Sequence, residues 1–183
     1  MPAPANGHVV RVGAGPLRFV AVPIDVAADV PLTSLQGDTR PITEWVTTFQ
    51  LALVVLDPYT HEAAWILPTA GRILNNFAEA DCRTAFLVTG PPEDARQFLG
   101  PWVEELMVFT DEDRLAVKGF GLESLPAFVH IDQNHAIVTK SEGWDPTGWR
   151  AVATELARVV SWRRPTIPDP SDPAPFAGCP ALG

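Results

Sequence analysis

Six consecutive apolar residues, Leu51 to Leu56, form the longest hydrophobic run in the chain. A run of this length suits a strand buried on both faces of a sheet, and it is far too short to cross a bilayer. The strand is read as continuing to Tyr59. Thr60 then offers an N-cap or first-turn residue, and Glu62 places negative charge in the first turn of a helix. Ala64, Ile66, Leu67, Ile73, Leu74 and Phe77 recur on one face of that helix, which is expected to reach Ala80. Pro68 lies inside it and is expected to kink it.

Downstream, short apolar runs alternate with amphipathic stretches. Arg83 to Val88 reads as a strand closed by Thr89-Gly90-Pro91-Pro92. Glu93 to Leu99 and Val103 to Leu106 read as helical segments broken at Gly100-Pro101. Met107 to Thr110 reads as a short strand, and Arg114 to Phe120 as a short helix stopped by Gly121. Ala127 to Ile131 and Ala136 to Thr139 form a hairpin around Asp132-Gln133-Asn134, where Asn tolerates a left-handed conformation. Pro146 to Trp162 is the last helix, with Trp149, Val152, Leu156, Val159 and Val160 on one face.

Upstream, Val9 to Val12 and Leu17 to Ile24 alternate like strands around Gly13-Ala14-Gly15-Pro16. That turn is no phosphate loop, because it lacks the lysine and a strand follows it instead of a helix. Asp25 to Thr43 is punctuated by Pro, Gly and Asp and reads mostly as loop. Glu44 to Gln50 has room for a helical turn. After Arg164 the sequence is rich in proline without periodicity and reads as an extended tail. The order of elements predicts an α/β fold, a central mixed sheet with helices on both faces. Three segments follow: an N-terminal β-hairpin and loop extension (1–47), a single domain (48–164) and a Pro-rich tail (165–183).

Composition narrows the partners. A hydrophobic fraction of 46% supports a sizeable core, and a net charge of -9 argues against nucleic acid or an anionic membrane. Met1 to Gly7 carries no basic stretch leading into an apolar one, so no export signal is read and a cytoplasmic location is expected. Cys82 and Cys179 are too few and too far apart for a disulfide scaffold or a zinc site, and free thiols are expected.

Three features carry a family resemblance. The apolar strand runs directly into a helix at Tyr59-Thr60. Pro68 follows Ala63 by five residues. Gly121-Leu122-Glu123-Ser124-Leu125-Pro126-Ala127-Phe128-Val129 precedes the hairpin. From Thr48 to Trp162 the chain resembles the thioredoxin superfamily, most like its TlpA and peroxiredoxin-type branch. The resemblance implies a thioredoxin-like fold, a cis Leu125–Pro126 bond, and a groove between that loop and the helix start. In that groove a partner's extended segment would pair with the backbone. It also exposes a departure, since Thr60 and Ala63 stand where the family carries its redox cysteines, with His61 and Glu62 between them. A helix dipole worth about 0.3–1 kcal/mol cannot ionise a threonine hydroxyl. His61, adjacent on the helix, does not face Thr60. The expected function is a redox-inactive module that binds a protein or extended peptide through Tyr59, Thr60, His61, Leu125 and Pro126. No cofactor is implied. The rivals are a thiol oxidoreductase using Cys82 or Cys179 singly, and a structural subunit using the tail and the Trp-rich last helix as its interface.

The remaining candidates have blander readings. Cys82 precedes a core strand and reads as a buried structural cysteine. Cys179 reads as an exposed, unreactive thiol, or as one brought to the Thr60–Pro126 groove by a tail that folds back. His61, Glu62, His130 and His135 lack metal-ligand spacing, so no metal is assigned. His130 reads as a hydrogen-bonded core histidine, His135 as solvated, and Asp111-Glu112-Asp113 as a solvated turn. Trp144, Trp149 and Trp162 read as packing residues. The tail's prolines suit either a partner's aromatic groove or packing on their own domain, with Phe176 as anchor.

Overall fold

The computed structural model of the protein describes residues 23–26 and 28–183. The strands expected over Val9–Val12 and most of Leu17–Ile24 lie outside the described residues. The elements are β1 (Ile24–Asp25), β2 (Pro31–Ser34), β3 (Thr39–Pro41), α1 (Ile42–Trp45), β4 (Gln50–Leu56), α2 (His61–Phe77), β5 (Cys82–Val88), α3 (Pro92–Leu99), α4 (Trp102–Glu105), β6 (Met107–Thr110), α5 (Leu115–Gly119), β7 (Ser124–Leu125), β8 (Ala127–Ile131), β9 (Ala136–Glu142), α6 (Pro146–Val159) and β10 (Cys179–Pro180). Eight strands form one mixed sheet in the order β1-β9-β8-β4-β5-β6-β2-β3, and β7 pairs separately with β10.

The apolar run takes the centre of the sheet. β4 pairs parallel with β5, from Gln50↔Cys82 to Leu56↔Val88, and antiparallel with β8, from Leu51↔Ile131 to Val55↔Ala127. Successive strand side chains point to opposite faces, so the run feeds two cores. Ala52, Val54 and Leu56 pack with α2, α3 and α6. Leu51, Leu53 and Val55 pack with α1 and α5. A strand buried on both faces has no polar position to offer, which is why its sequence does not alternate.

Residues 25–43, expected mostly as loop, instead contain β2 and β3. This hairpin joins the sheet beside β6 through Thr33↔Thr110 and Ser34↔Phe109. Strands of three and four residues carry little hydrophobic signal: β3 is the sheet edge with one side unpaired, and β2, though paired on both sides, offers only Leu32 as a large apolar residue. The helical turn sits at α1, earlier than the Glu44–Gln50 window. In the β8–β9 turn it is His135, not Asn134, that takes positive φ (66°). Its Nε2 lies 3.0 Å from the Val46 carbonyl, so this half-buried histidine is tied to the α1–β4 connection. Asp111 is also buried. Its carboxylate accepts from the Ala116 and Val117 amides at 3.1 and 2.9 Å and caps α5, while Glu112 and Asp113 are exposed.

His130 is fully buried in β8, with Nε2 2.8 Å from the Gln50 side-chain oxygen. Burial lowers its pKa from 6.5 to about 4; Glu155 and Asp132 oppose that shift and Arg158 adds to it. The fold therefore prefers the neutral ring. The associated stability is complete above the unfolded value of 6.5 and is lost as pH falls towards 4. Wild type is expected to lose about 2 kcal/mol more than His130→Phe between roughly pH 7 and pH 5. Urea unfolding of both proteins at the two pH values checks this, and equal losses would remove His130 as the cause.

Candidate functional site

The site is built where β4 ends. Asp57 is buried there, its Oδ1 accepting from the Tyr59 amide at 3.0 Å and its Oδ2 paired with Arg114 at 2.9 Å. Thr60 caps α2, its hydroxyl accepting from the Ala63 amide at 3.3 Å and donating to the Asp57 carbonyl at 3.1 Å. Its one proton is thus engaged locally. His61 is exposed, Glu62 is half-buried and Ala63 is buried. Tyr59 is exposed, and its hydroxyl donates to Asp94 on α3, on the β5 side of the helix start. That bond holds the phenol above its ordinary pKa.

The facing loop is held by its neighbours. The Leu125–Pro126 bond is cis. The Glu142 carboxylate accepts from the Glu123 and Ser124 amides at 2.7 and 2.8 Å and pairs with Lys140 at 2.8 Å. Burial would raise the pKa of this carboxyl, but Lys140 and the two amides outweigh it and leave the group below its usual value.

The C-terminal tail completes the arrangement. β10 pairs antiparallel with β7, Cys179 opposite Leu125 and Pro180 opposite Ser124. The Cys179 thiol donates to the Leu125 carbonyl at 3.5 Å, with the Thr60 side chain nearby. Burial raises the Cys179 pKa, the Asp57 charge adds to this and Thr60 opposes it. The thiol is therefore protonated at neutral pH. Of the two readings of Cys179, the folded-back tail is the one observed.

Further contacts fix the tail along its length. Asp172, its side chain 1% exposed, pairs with Arg72 at 2.9 Å and accepts from Thr69 at 2.7 Å. Trp144 donates its indole N–H to the Pro173 carbonyl at 2.8 Å. The backbones of Trp144 and Phe176 exchange bonds of 2.9 and 3.1 Å, and the Phe176 ring meets Trp65 edge-on at 6.2 Å. Gly178 has φ +88°, and a Cβ there would lie 2.4 Å from the Leu125 carbonyl oxygen. Ala181 is buried. Its amide donates to the Glu123 carbonyl at 2.8 Å, and its own carbonyl accepts from Arg114 at 2.5 Å.

Thr60, Leu125 and Cys179 thus converge, while Tyr59 is drawn towards α3. Cys82 lies at the opposite end of the central strands, opposite Gln50, and burial pushes its thiol up to about 12. Trp144 and Trp149 stack edge-on at 5.2 Å inside the core, and Trp162 donates its indole N–H to the Asn76 carbonyl. Among the described residues no group of three or more His, Cys, Asp or Glu is gathered to hold a metal ion, and no helix is long and apolar enough to cross a membrane. The sequence reading missed Asp57, Arg114, Glu142 and Gly178. A lone Asp ending an apolar run was a usable signal for the first; Arg114, a non-glycine residue at φ 56°, offered none.

No protein-family model and no curated protein matches the sequence. Solved structures do resemble the fold. A putative thiol:disulfide interchange protein, DsbE, from Chlorobium tepidum aligns with TM-score 0.62 at 16% identity, over 76% of this chain and 98% of that one. A hypothetical protein from Sinorhizobium meliloti 1021 aligns with TM-score 0.61 at 17% identity, over 88% and 94%. The peroxidoxin BcpB from Mycobacterium tuberculosis aligns with TM-score 0.60 at 15% identity, over 76% and 96%. The chain has a thioredoxin-like fold of the kind these proteins share.

Proposed function

We propose that this thioredoxin-like chain is a redox-inactive module that binds a protein through an extended segment, at the groove between Thr60 and the Leu125–Pro126 loop. One observation carries the reading: the main-chain edge at Leu125 already holds an extended segment that passes Thr60. Strand addition of this kind needs backbone groups and shape, not thiols. The absence of cysteine at residues 60–63 supports the redox-inactive part, because the attacking species in dithiol exchange is a thiolate. With two free cysteines, Cys82 and Cys179, the cytoplasm is the compartment we assign.

A photo-cross-linking residue at Tyr59 tests this. The wild-type loop is expected to give a discrete partner cross-linked through an extended segment, and Pro126→Ala is expected to lose it. Identical cross-links from both proteins would sink the proposal. The placement of the Cys179 thiol beside the α2 start favours a second reading, a single-cysteine thiol oxidoreductase. Reduction of a disulfide substrate that is abolished by Cys179→Ser would establish it; no reduction by wild type removes it.

A further inference from the structure

We infer that Ala177–Leu182 is a built-in ligand of the groove, and that the partner supplies a segment of the same chemistry which must displace it: glycine, then a small residue able to hydrogen-bond, an open position, then alanine. The inference rests on the binding function proposed above and specifies its partner. Each requirement has a physical source. The glycine position has φ +88° and no room for a Cβ beside the Leu125 carbonyl. The next side chain is half-buried beside that carbonyl and near Thr60, where a thiol or hydroxyl finds an acceptor. Pro180 is exposed and sets no constraint. Ala181 is buried at 1% exposure while Arg114 grips its carbonyl, so a small side chain is required there.

The tail divides into a fixed part and a releasable part. Up to Phe176 it is held by the buried Asp172–Arg72 pair, the Trp144 bonds and the Phe176–Trp65 contact. Beyond Phe176 it is held by a ladder of two residue pairs outside the main sheet, the Arg114 contact and the Ala181 amide. The second part can leave with the Asp57–Arg114 pair intact, whereas release of the first part would break the Asp172–Arg72 pair. The released stretch, residues 177–183, spans at most about 25 Å when extended. That short tether favours return to its own groove, at an effective concentration of order millimolar, over insertion into a second copy. The occupant we commit to is therefore a segment of a different protein.

The test uses the full-length chain carrying Gly178→Val, which forces a branched side chain onto the Leu125 carbonyl without altering the groove. The probe is a fluorescein-labelled peptide of residues 175–183. Gly178→Val is expected to bind it at least about tenfold more tightly than wild type does, since the tethered tail competes in wild type. A peptide carrying the valine is expected to bind neither protein. Ala181→Asp provides a second opened chain should Gly178→Val fail to fold, and the same gain is expected. Equal binding by wild type and the opened variants overturns the inference. So does absence of binding while hydrogen exchange at the Ala181 amide reports release. A wild-type dimer that dissociates on Gly178→Val would show tail exchange between copies and overturn the committed occupant. Peptide binding to Gly178→Val together with Tyr59 cross-links indifferent to Pro126→Ala leaves the inference standing and removes the proposed function. The converse pair of results does the opposite.

Discussion

Arg114→Ala is expected to destabilise the protein by about 3–5 kcal/mol, the usual cost of stripping one partner from a buried ion pair. Asp57 is 7% exposed, and without Arg114 its carboxylate keeps only the Tyr59 amide. The same guanidinium also serves the Ala181 carbonyl, one prong to each acceptor. Arg114→Lys is expected to recover only part of the loss, because an ammonium has no rigid fork to span both. Urea unfolding of Arg114→Ala, Asp57→Asn and the double variant measures the coupling. A cost for Arg114→Ala below about 1 kcal/mol, or losses that simply add, would mean the pair behaves like a solvated surface bridge.

Thr60→Cys is expected to close a disulfide with Cys179 when treated with oxidised glutathione. The two thiols give up two protons and two electrons, and the oxidant is reduced to two glutathione thiols. The Cys179 thiol already lies near the residue 60 side chain, on the strand paired with Leu125. Closing a loop of about 120 residues is worth up to about 5 kcal/mol in the chain-entropy account, against about 1 kcal/mol for the lost threonine cap. A net gain of up to about 4 kcal/mol, reversed by dithiothreitol, is therefore expected from thermal or urea unfolding. Intact mass and non-reducing electrophoresis report the bond, in a Cys82→Ser background that leaves no other pairing. Two thiols that stay free after oxidation would place Cys179 elsewhere in solution.

What the sequence disclosed follows the reach of each signal. β4 and α2 were legible because a buried strand writes itself as the run Leu51–Leu56 and a helix start as a capping threonine, both local patterns. The Leu125–Pro126 loop was legible through the resemblance. The hairpin at residues 31–41 was not, since β2 alternates over only four residues with Ser34 at a buried position, and β3 is a three-residue edge strand with no buried residue. The seating of the tail was harder still. Its fixed points are single contacts across long stretches of chain, Asp172 with Arg72 and Cys179 with Leu125, and a proline-rich stretch has no period to betray which face it covers. Arg114 went unnoticed for the same reason, its two partners being Asp57 and Ala181 on either side of it in sequence.

The two cores of β4 bear on how this sequence can drift. Val54 and Val55 are neighbours in the chain, yet their side chains belong to different clusters on opposite faces of the sheet. Their buried neighbours belong to separate clusters, so coupling between substitutions at the two positions must run through the shared backbone and not through side-chain packing. Each face can then exchange one apolar residue for another of similar volume without asking the other to follow. A population of such sequences explores two small packing problems in parallel rather than one large one. That independence gives a physical route by which chains sharing 15–17% of their residues can keep one backbone.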